Sequence, residues 1–353
     1  MGIVSCVKVS DNSTNPEVVF KAVKKAMELA SWEGHVKGKN IILKVNVMWD
    51  KLYPSCTTSP MVIEGVIRVL RSSNKFKDAK ITIVDANTPS FSDVGRAFRT
   101  EGIEKMAQKY GIDCINLSKT EFETVYLKKF FVLSKLQISK VLLAADTIIS
   151  IPVPKTHTYS TITGALKNQW GCIYDLRHNY HMVVHKAIAD VNRYLKNKVT
   201  FAVVDALFGM EGKGPKNGTP KKLGYLFASH DLVSLDRILC QAIGVDYKEI
   251  GYVNYSSQAG VGSLNARLVG DSIPAFNFIF GLPSNISMGM EMRIRKMSPF
   301  LAKLCFSPTS PLLLVLRIIA KIYYDLWYAF LANKNVHKMM GTNFGKMWKS
   351  YLK

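Results

Sequence analysis

Residues 147–157 of the chain read TIISIPVPKTH. Their first part, Thr147–Ile151, is apolar and rich in β-branched side chains, as a buried strand requires. Pro152 and Pro154 end that strand, because proline donates no hydrogen bond to a sheet ladder. The polar segment Lys155–His157 follows at once. In open α/β sheets the groups just beyond the carboxyl end of a strand form the binding crevice, so we predict a functional site here.

Lys155 and His157 are two residues apart in an extended segment, so both side chains point to the same side. Lysine is a point charge for a carboxylate or phosphate, and histidine is a base, an acid or a metal ligand. The alternative is a solvated loop with one helix cap. A helix predicted over Ser160–Cys172 adds further polar or glycine positions, which are Thr163, Gly164, Lys167 and Asn168.

Three histidines follow at i, i+3 and i+7: His178, His181 and His185. On an α-helix these offsets lie within about 60° of each other. His181 and His185, together with His157, are therefore candidate ligands for a divalent transition metal. Two alternatives stay open, a polar helix face and a core histidine bonded to backbone. If the helix begins only near His181, His178 lies in the preceding turn.

Short apolar runs alternate with amphipathic segments along the chain. This alternation predicts βαβ units and an α/β fold, with a mostly parallel open sheet and helices on both faces. We expect this domain to occupy residues 1–270. The predicted strands are Ile3–Val9, Ile41–Asn46, Ile81–Val84, Thr147–Ile151, Thr200–Val204 and Tyr225–Ala228. Besides Ser160–Cys172, the predicted helices are Pro16–Ala30, Pro60–Ser72, Gly95–Tyr110, Val183–Leu195 and Leu232–Ile243.

Residues 271–353 differ in character and form a basic, apolar C-terminal extension. From Met290 onward, eleven lysines and arginines accompany two acids among many large apolar side chains. An amphipathic helix is predicted over residues 312–333, with a charged stripe of Arg317, Lys321 and Asp325. Burying three charges in hydrocarbon is costly, which argues against a spanning helix. Two alternatives remain: a helix in the interface of an anionic membrane, and a helix packed on the protein's own core.

Polar residues also follow two other predicted strands. Lys44 and Asn46 end the second strand on one face, and Asp85 and Asn87 end the third. The carboxyl ends of neighbouring strands meet at one edge, so these groups are expected to share a cleft. We assign substrate binding to residues that carry polar groups or allow close approach of the backbone, namely Lys44, Asn46, Thr163, Gly164, Asn168, Gly212 and Gly214.

A glycine-rich segment follows the fifth predicted strand and reads DALFGMEGKGPKNGTPKKLG over residues 205–224. Its glycines, Gly212 and Gly214 among them, allow backbone N–H groups to curl around an anion. Glu211 and Asp205 are candidate catalytic carboxylates. The segment matches neither the Walker pattern nor the dinucleotide fingerprint, so neither ATP nor NAD is predicted. The alternative is a mobile surface loop.

The overall composition bounds the partners of the protein. The chain has 353 residues and a formal charge of +21, which favours anionic partners. Its six cysteines form no C-x-x-C pair, so spacing indicates neither a zinc ribbon nor an iron–sulfur cluster. The N-terminus lacks the plan of a secretory signal. We expect reduced thiols and a cytoplasmic location.

Several stretches, in their order along residues 1–265, resemble the prokaryotic family called domain of unknown function 362. The family's name records that its activity is poorly defined. Some members carry a ferredoxin-like module and iron–sulfur clusters. This chain lacks clustered cysteines, so no intrinsic cluster is expected. The layout of lysines and histidines is also similar to that of nickel-pincer lactate racemases. The matching stretches are KVN at 44–46, TTSP at 57–60, VDAN at 84–87, IPVPKTH at 151–157, TGALKN at 163–168, GMEGKGP at 209–215 and SHDLVSLD at 229–236.

Two functions fit these observations best. The first is a metal-dependent or acid/base enzyme at the cytoplasmic face of a membrane, acting on an anionic substrate that is small or lipid-linked and bears a carboxylate or phosphate. The second is an accessory redox or cofactor-binding protein that holds an anionic cofactor without catalysis. Nucleic-acid binding is suggested only by net charge, with no recognised module, and is not expected. In the enzyme, the catalytic groups would be His157, Lys155, Lys167, Glu211 and Asp205.

Overall fold

The computed structural model describes residues 1–88, 93–174, 177–281, 293–295, 297–298, 300, 305–307 and 310–353. The side chain of His178 is outside this description. The strands are β1 (Gly2–Lys8), β2 (Asn40–Lys44), β3 (Lys80–Asp85), β4 (Asp113–Asn116), β5 (Phe122–Tyr126), β6 (Lys135–Ser139), β7 (Thr147–Ser150), β8 (Lys155–His157), β9 (Thr161–Thr163), β10 (Val199–Glu211), β11 (Thr219–Ser229) and β12 (Ala266–Gly270).

The helices lie between and after these strands. The α-helices are α1 (Glu17–Leu29), α2 (Pro60–Ser72), α3 (Val94–Thr100), α4 (Ile103–Gln108), α5 (Lys140–Leu143), α6 (Ala165–Asn168), α7 (Val184–Leu195), α8 (Leu232–Ile243), α9 (Gly251–Gln258), α10 (Pro311–Trp327), α11 (Asn333–Met340) and α12 (Asn343–Leu352). Shorter 3₁₀ helices are Trp32–Gly34, Leu117–Lys119, Gln169–Cys172, Arg177–Val183 and Tyr247–Glu249, and a π-helix, Tyr328–Ala332, joins α10 to α11.

One large sheet has the order β12-β1-β11-β10-β7-β2-β3-β4. Most neighbouring pairs are parallel, and β11 runs antiparallel to both β1 and β10. The β8–β9 hairpin branches from β10, while β5 and β6 form a separate hairpin. The prediction of a mostly parallel open sheet is confirmed.

Successive residues of the central strands point to opposite faces of the sheet, as a strand dictates. Ile41 and Leu43 of β2 are buried in one apolar cluster with α1 and α2. Ile42 is buried in a second cluster with α7 and α8. Helices therefore cover both faces, which confirms the predicted fold class and explains why the central strands read as continuous apolar runs.

The predicted helix Ser160–Cys172 is wrong in its first part, where β9 pairs with β8. Helix α6 begins only at Ala165, because the Asp236 carboxylate accepts its first two N–H groups at 2.6 and 3.0 Å. A Cβ at Gly164 would lie 2.3 Å from Asp236 Oδ1, so only glycine allows this carboxylate to approach. The cap comes from a distant part of the chain, which a local pattern cannot indicate.

The predicted helix Gly95–Tyr110 is also divided, into α3 and α4. The division falls at Gly102, whose φ of +75° is left-handed. This conformation ends one helix and redirects the chain, because glycine adopts it without steric penalty. Apart from this break, the observed ends of the predicted helices α1, α2, α7 and α8 agree with the sequence to within one residue.

The end of the chain packs into the main core. Phe344, Met347 and Trp348 of α12 are fully buried in the cluster that contains α1 and α2. The Trp348 Nε1–H donates to the carbonyl oxygen of Glu101 at 3.1 Å. None of the helices in the described part of the chain is long and apolar enough to cross a membrane.

We predict that Trp348→Ala lowers the free energy of unfolding by about 3–5 kcal/mol, because it leaves a cavity in the core. Urea denaturation measures this difference. The neighbouring variant Lys349→Ala, at an exposed position, is the control and is expected to unfold like the wild type. Equal stabilities for the two variants would show that α12 is not part of the cooperative core.

Candidate functional site

A cavity of about 200 Å³ opens beyond the carboxyl ends of the central strands. Its described walls come from the ends of β2 and β3, from β8 and β9, from α6 and the 3₁₀ helix Arg177–Val183, and from α10. The cavity brings together eight of the residues predicted from sequence, which are Lys44, Asn46, Lys155, His157, Thr163, Lys167, Asn168 and His181.

The charge of the cavity is strongly positive. Among the described lining residues, six are lysines or arginines and one, Asp85, is a carboxylate. Converging cations within low-dielectric walls raise the local concentration of anions. The arrangement therefore suits a ligand with a carboxylate or phosphate group. The six cations are Lys44, Lys155, Lys167, Arg177, Lys216 and Arg317.

Lys44 is neutralised within the protein. Its ammonium lies 2.6 Å from Asp85 Oδ1, and both side chains are buried. Asp85 also accepts the backbone N–H groups of Val47 and Ala86, at 2.6 and 2.7 Å. A buried ion pair needs such additional hydrogen bonds to offset its desolvation. We infer that Lys44 ties β2 to β3 and does not present a free charge to a ligand.

Lys155 is fixed by a polar network. Its buried ammonium donates to Asn46 Oδ1 and to the carbonyl oxygen of Cys56, the latter at 2.7 Å. The Asn46 amide donates in turn to Asn168 Oδ1 at 3.2 Å. Burial lowers the pKa of Lys155 to about 8. The network orients a cation toward the cavity without an internal carboxylate to neutralise it.

Lys167 has a different environment. Its ammonium has no hydrogen-bond or ion-pair partner within the described ranges, although it lines the cavity. Burial, followed by the nearby charges of Arg177 and Lys155, lowers the pKa of Lys167 to about 7. A lysine that is half-protonated near neutral pH is suited to accept and return a proton. Lys167 is therefore the best candidate for acid/base chemistry.

His157 is held in one tautomer. Its Nδ1 accepts the backbone N–H groups of Tyr159 and Ser160, at 3.1 and 3.4 Å. A neutral imidazole that accepts at Nδ1 carries its proton on Nε2. His181 also lines the cavity and stacks on the ring of Tyr159, with centroids 3.9 Å apart.

The structure does not bring the three predicted metal ligands together. The segment that carries His181 is a 3₁₀ helix, so the predicted α-helical stripe with His185 is wrong. His185 is outside the cavity lining, and its Nδ1 accepts the Tyr252 N–H at 3.1 Å. Across the residues with described placement, no three His, Cys, Asp or Glu side chains lie close enough together to hold one metal ion. His157 and His185 each have Nδ1 occupied by backbone donors.

The two predicted carboxylates lie away from the cavity. Asp205 Oδ2 accepts the N–H and the hydroxyl of Ser59, both at 2.7 Å, and so anchors the start of α2. Burial raises the pKa of Asp205 to about 6. Glu211 Oε2 accepts from the Lys221 ammonium at 3.0 Å and from the Ile279 N–H at 3.2 Å. Neither is among the described residues that line the cavity.

Gly212 and Gly214 support the cavity from behind and are not in its described lining. The Thr156 hydroxyl donates to the Gly212 carbonyl oxygen at 3.0 Å and accepts the Gly214 N–H at 3.2 Å. A Cβ at Gly214 would lie 2.1 Å from the Thr156 carbonyl oxygen. This close approach places the next residues, including Lys216, in the cavity wall.

Sequence reasoning did not assign Arg177 and Arg317 to the site, and it placed Lys216 among the charges of the glycine-rich segment. Arg177 donates to the carbonyl oxygens of Trp170 and Asn87. Lys216 lies 5.4 Å from the ring centroid of Tyr324, on α10. In the sequence, Lys216 is indicated by the charges of the glycine-rich segment, and Arg317 is indicated by the charged stripe of the C-terminal helix.

The chain belongs to the family described as Domain of unknown function (DUF362), whose model matches residues 41–241. This confirms the resemblance seen in the sequence. The matched region contains β2, the β8–β9 hairpin and α6, whereas α10 lies outside it.

Three known proteins are similar to the chain. A thylakoid-associated protein of Synechocystis sp. is 24% identical over 241 residues, covering 65% of this chain and 71% of that protein. The lactate racemase apoprotein of Thermoanaerobacterium thermosaccharolyticum is 15% identical, with a TM-score of 0.39, covering 65% of this chain and 54% of that one. A Thermotoga maritima protein of known structure is 13% identical, with a TM-score of 0.40, covering 69% and 59%. The chain thus spans little more than half the length of these two solved structures.

We predict that the Lys167 amine becomes reactive toward acetic anhydride with a midpoint at about pH 7, because burial disfavours its charged form. Pulse labelling across neutral and alkaline pH, with peptide mass spectrometry, measures this midpoint. The variant Lys167→Arg removes the labelled site and verifies the peptide assignment. A midpoint near 10.5, the ordinary value, would contradict the environment described here.

Proposed function

We propose that the protein is an acid/base enzyme acting on an anionic substrate that bears a carboxylate or phosphate. The observation that carries this proposal is the Lys167 ammonium, which lacks a partner among the described residues and lies in a cavity with six cations and one carboxylate. A desolvated cation without a counter-charge is costly to the folded protein. A bound anion would offset that cost, and the cavity would therefore select anionic ligands.

Different side chains of the cavity would bind the substrate and transfer the proton. Lys155, fixed by Asn46 and Cys56, and Arg177, fixed by two carbonyl oxygens, would hold the anionic group. Lys167 would take a proton from the substrate in its neutral form and return it in its charged form. His157 lines the same cavity, so its ring would contact the bound substrate. Asp205 and Glu211 keep structural roles in this proposal.

The proposal relies on acid/base groups, and within the described residues no three His, Cys, Asp or Glu side chains are grouped closely enough to hold a metal ion. We place the reaction at the cytoplasmic face of a membrane, with the C-terminal extension as the contact. The name of the Synechocystis relative, which calls that protein thylakoid-associated, agrees with a membrane location.

The proposal is tested by incubating a mixture of anionic metabolites with wild-type protein and with Lys167→Met, followed by untargeted mass spectrometry. We expect at least one carboxylate or phosphate compound to be converted by the wild type alone. Stoichiometric retention of one anion without turnover would overturn the enzyme proposal and favour a protein that only holds an anionic cofactor. Conversion of the same compound by both proteins would remove Lys167 from the chemistry.

We predict that Lys167→Met weakens binding of inorganic phosphate at least tenfold and raises the Tm of the unliganded protein, because it removes a partly buried, desolvated charge. Calorimetric titration and thermal unfolding measure the two effects. The control Lys25→Met removes an exposed lysine and should change neither. A fall in Tm for Lys167→Met would show that the cation stabilises the fold.

The same charge determines a pH dependence. The pKa of Lys167 is about 7 in the folded protein and 10.5 ordinarily, so between these values the unfolded chain binds the extra proton. Stability from this residue therefore rises with pH across that window. We predict that the rise is smaller in Lys167→Met, as measured by urea denaturation at neutral and alkaline pH. Parallel pH profiles for the two proteins would contradict the low pKa.

A further inference from the structure

The C-terminal helix has an unusual distribution of side chains. On α10 and the π-helix that follows it, the face directed away from the protein is apolar and exposed. Ile319 is 50% exposed, Ile322 is 53% exposed and Phe330 is 78% exposed. A surface helix of a globular protein normally presents polar side chains outward. The exposed face, called here the outer apolar face, consists of Leu312, Leu314, Val315, Ile318, Ile319, Ile322, Leu326, Phe330 and Leu331.

Two residues of the charged stripe, Arg317 and Asp325, contact the protein, whereas Lys321 is exposed. Arg317 lines the cavity. Asp325 lies 3.0 Å from the Lys51 ammonium and 2.5 Å from that of Lys321. The helix is further held by Tyr328, whose hydroxyl donates to the Leu52 carbonyl oxygen at 2.9 Å. The orientation is therefore fixed by specific contacts, and the apolar residues are left outside.

The chemistry of the surroundings indicates what covers the outer apolar face. Residues 311–353 contain seven lysines and arginines and one acid. Lys334 and Lys338, exposed on α11, follow directly after the exposed Phe330 and Leu331. An apolar helix face next to basic residues is complementary to the surface of an anionic bilayer. A second copy of this chain, equally basic, would add like-charge repulsion to the same contact.

The inner side of α10 makes the cavity amphipathic. Leu313, Leu316 and Ala320 contribute an apolar roof, with Phe306 beside them. The cations Lys155, Lys167 and Arg177 line the same cavity from other elements, and α10 itself adds Arg317. A small hydrophilic anion would leave this roof without a partner, whereas a hydrocarbon chain attached to the anion would bury it.

We propose that the outer apolar face docks the protein on an anionic lipid bilayer and that the cavity takes an anionic amphiphile from that bilayer. The second part rests on the proposed function and specifies its substrate class: an anionic head on the lysines, with a hydrocarbon portion against α10. Docking through one face of α10 places the cavity, which lies under its other face, beside the membrane surface.

Flotation tests the docking surface. Full-length protein is mixed with vesicles of phosphatidylcholine, or of equal parts phosphatidylcholine and phosphatidylglycerol. We expect flotation with the anionic vesicles and at least tenfold weaker partitioning for Ile319→Ser/Ile322→Ser, because two large apolar side chains are removed. The control Tyr126→Ser/Phe130→Ser changes exposed aromatic residues elsewhere and should float like the wild type.

Two flotation results would overturn the docking proposal. One is wild-type protein that floats with neither kind of vesicle. The other is Ile319→Ser/Ile322→Ser protein that floats as well as the wild type. Mass photometry of the same samples tests the alternative that a second copy of the chain covers this face. A wild-type dimer that becomes monomeric in this variant would assign the face to that second copy. Thermal unfolding confirms that the variants are folded.

Chain length tests the substrate class in solution without vesicles. We expect octyl phosphate to bind at least tenfold more tightly than inorganic phosphate, and Leu316→Ser to weaken octyl phosphate binding more than inorganic phosphate binding. Equal binding of the two probes would overturn the proposal that the substrate is an amphiphile. Absence of binding by both would instead contradict the proposed function, and the flotation result would stand separately.

Discussion

The buried ion pair between Lys44 and Asp85 joins the carboxyl ends of β2 and β3, at 2.6 Å. From this pair a polar network spreads across the edge of the sheet. The backbone oxygen of Lys44 accepts from the Asn168 amide, which also donates to Ser150 at the end of β7. Asn168 and Asn46 then orient Lys155. Parallel strands end together in space, and this network is what keeps their polar ends buried and satisfied.

The network leaves an imbalance of charge. Asp85 neutralises Lys44, and no other carboxylate lines the described part of the cavity. Burial lowers the pKa of Lys167 to about 7 and that of Lys216 to about 8. A folded protein that carries such cations has stability to gain from any anion that binds there. At the position of Lys167, a neutral residue would pack at lower cost.

The sequence allowed the local parts of this site to be predicted. A β-branched run, two prolines and the Lys155–His157 segment are adjacent in the chain, so their geometry follows from strand rules. Lys44 and Asn46 were found in the same way. Arg177 and Arg317 were not assigned to the site, because each reaches it through tertiary packing of a separate element. The fold class was accessible because alternating strands and helices constrain the sheet more strongly than any single boundary.

Asp205 and Glu211 show why position at a strand end is insufficient evidence for catalysis. Asp205 follows the predicted strand Thr200–Val204, but in the structure it lies in the middle of β10, and Glu211 is the last residue of that strand. Their actual partners are the Ser59 backbone and hydroxyl, and the Lys221 side chain with the Ile279 backbone. Each satisfies N–H groups of a segment distant in sequence. A candidate carboxylate can be assigned to chemistry only after such structural demands are excluded.

The C-terminal helix presents the opposite case. Its charged stripe was visible in the sequence, but the side of the helix that packs against the protein was not. The period of Arg317, Lys321 and Asp325 defines a stripe, and a stripe alone does not say which side meets water. The contacts of Asp325 with Lys51 and of Tyr328 with Leu52 fix which side of the helix meets the protein, and Lys321 is exposed. Hydrophobic burial would favour the reverse orientation in a helix surrounded by water on its outer side. The observed orientation is the one expected where the outer surroundings are apolar, and it connects the cavity's positive charge with the basic surface of the same extension.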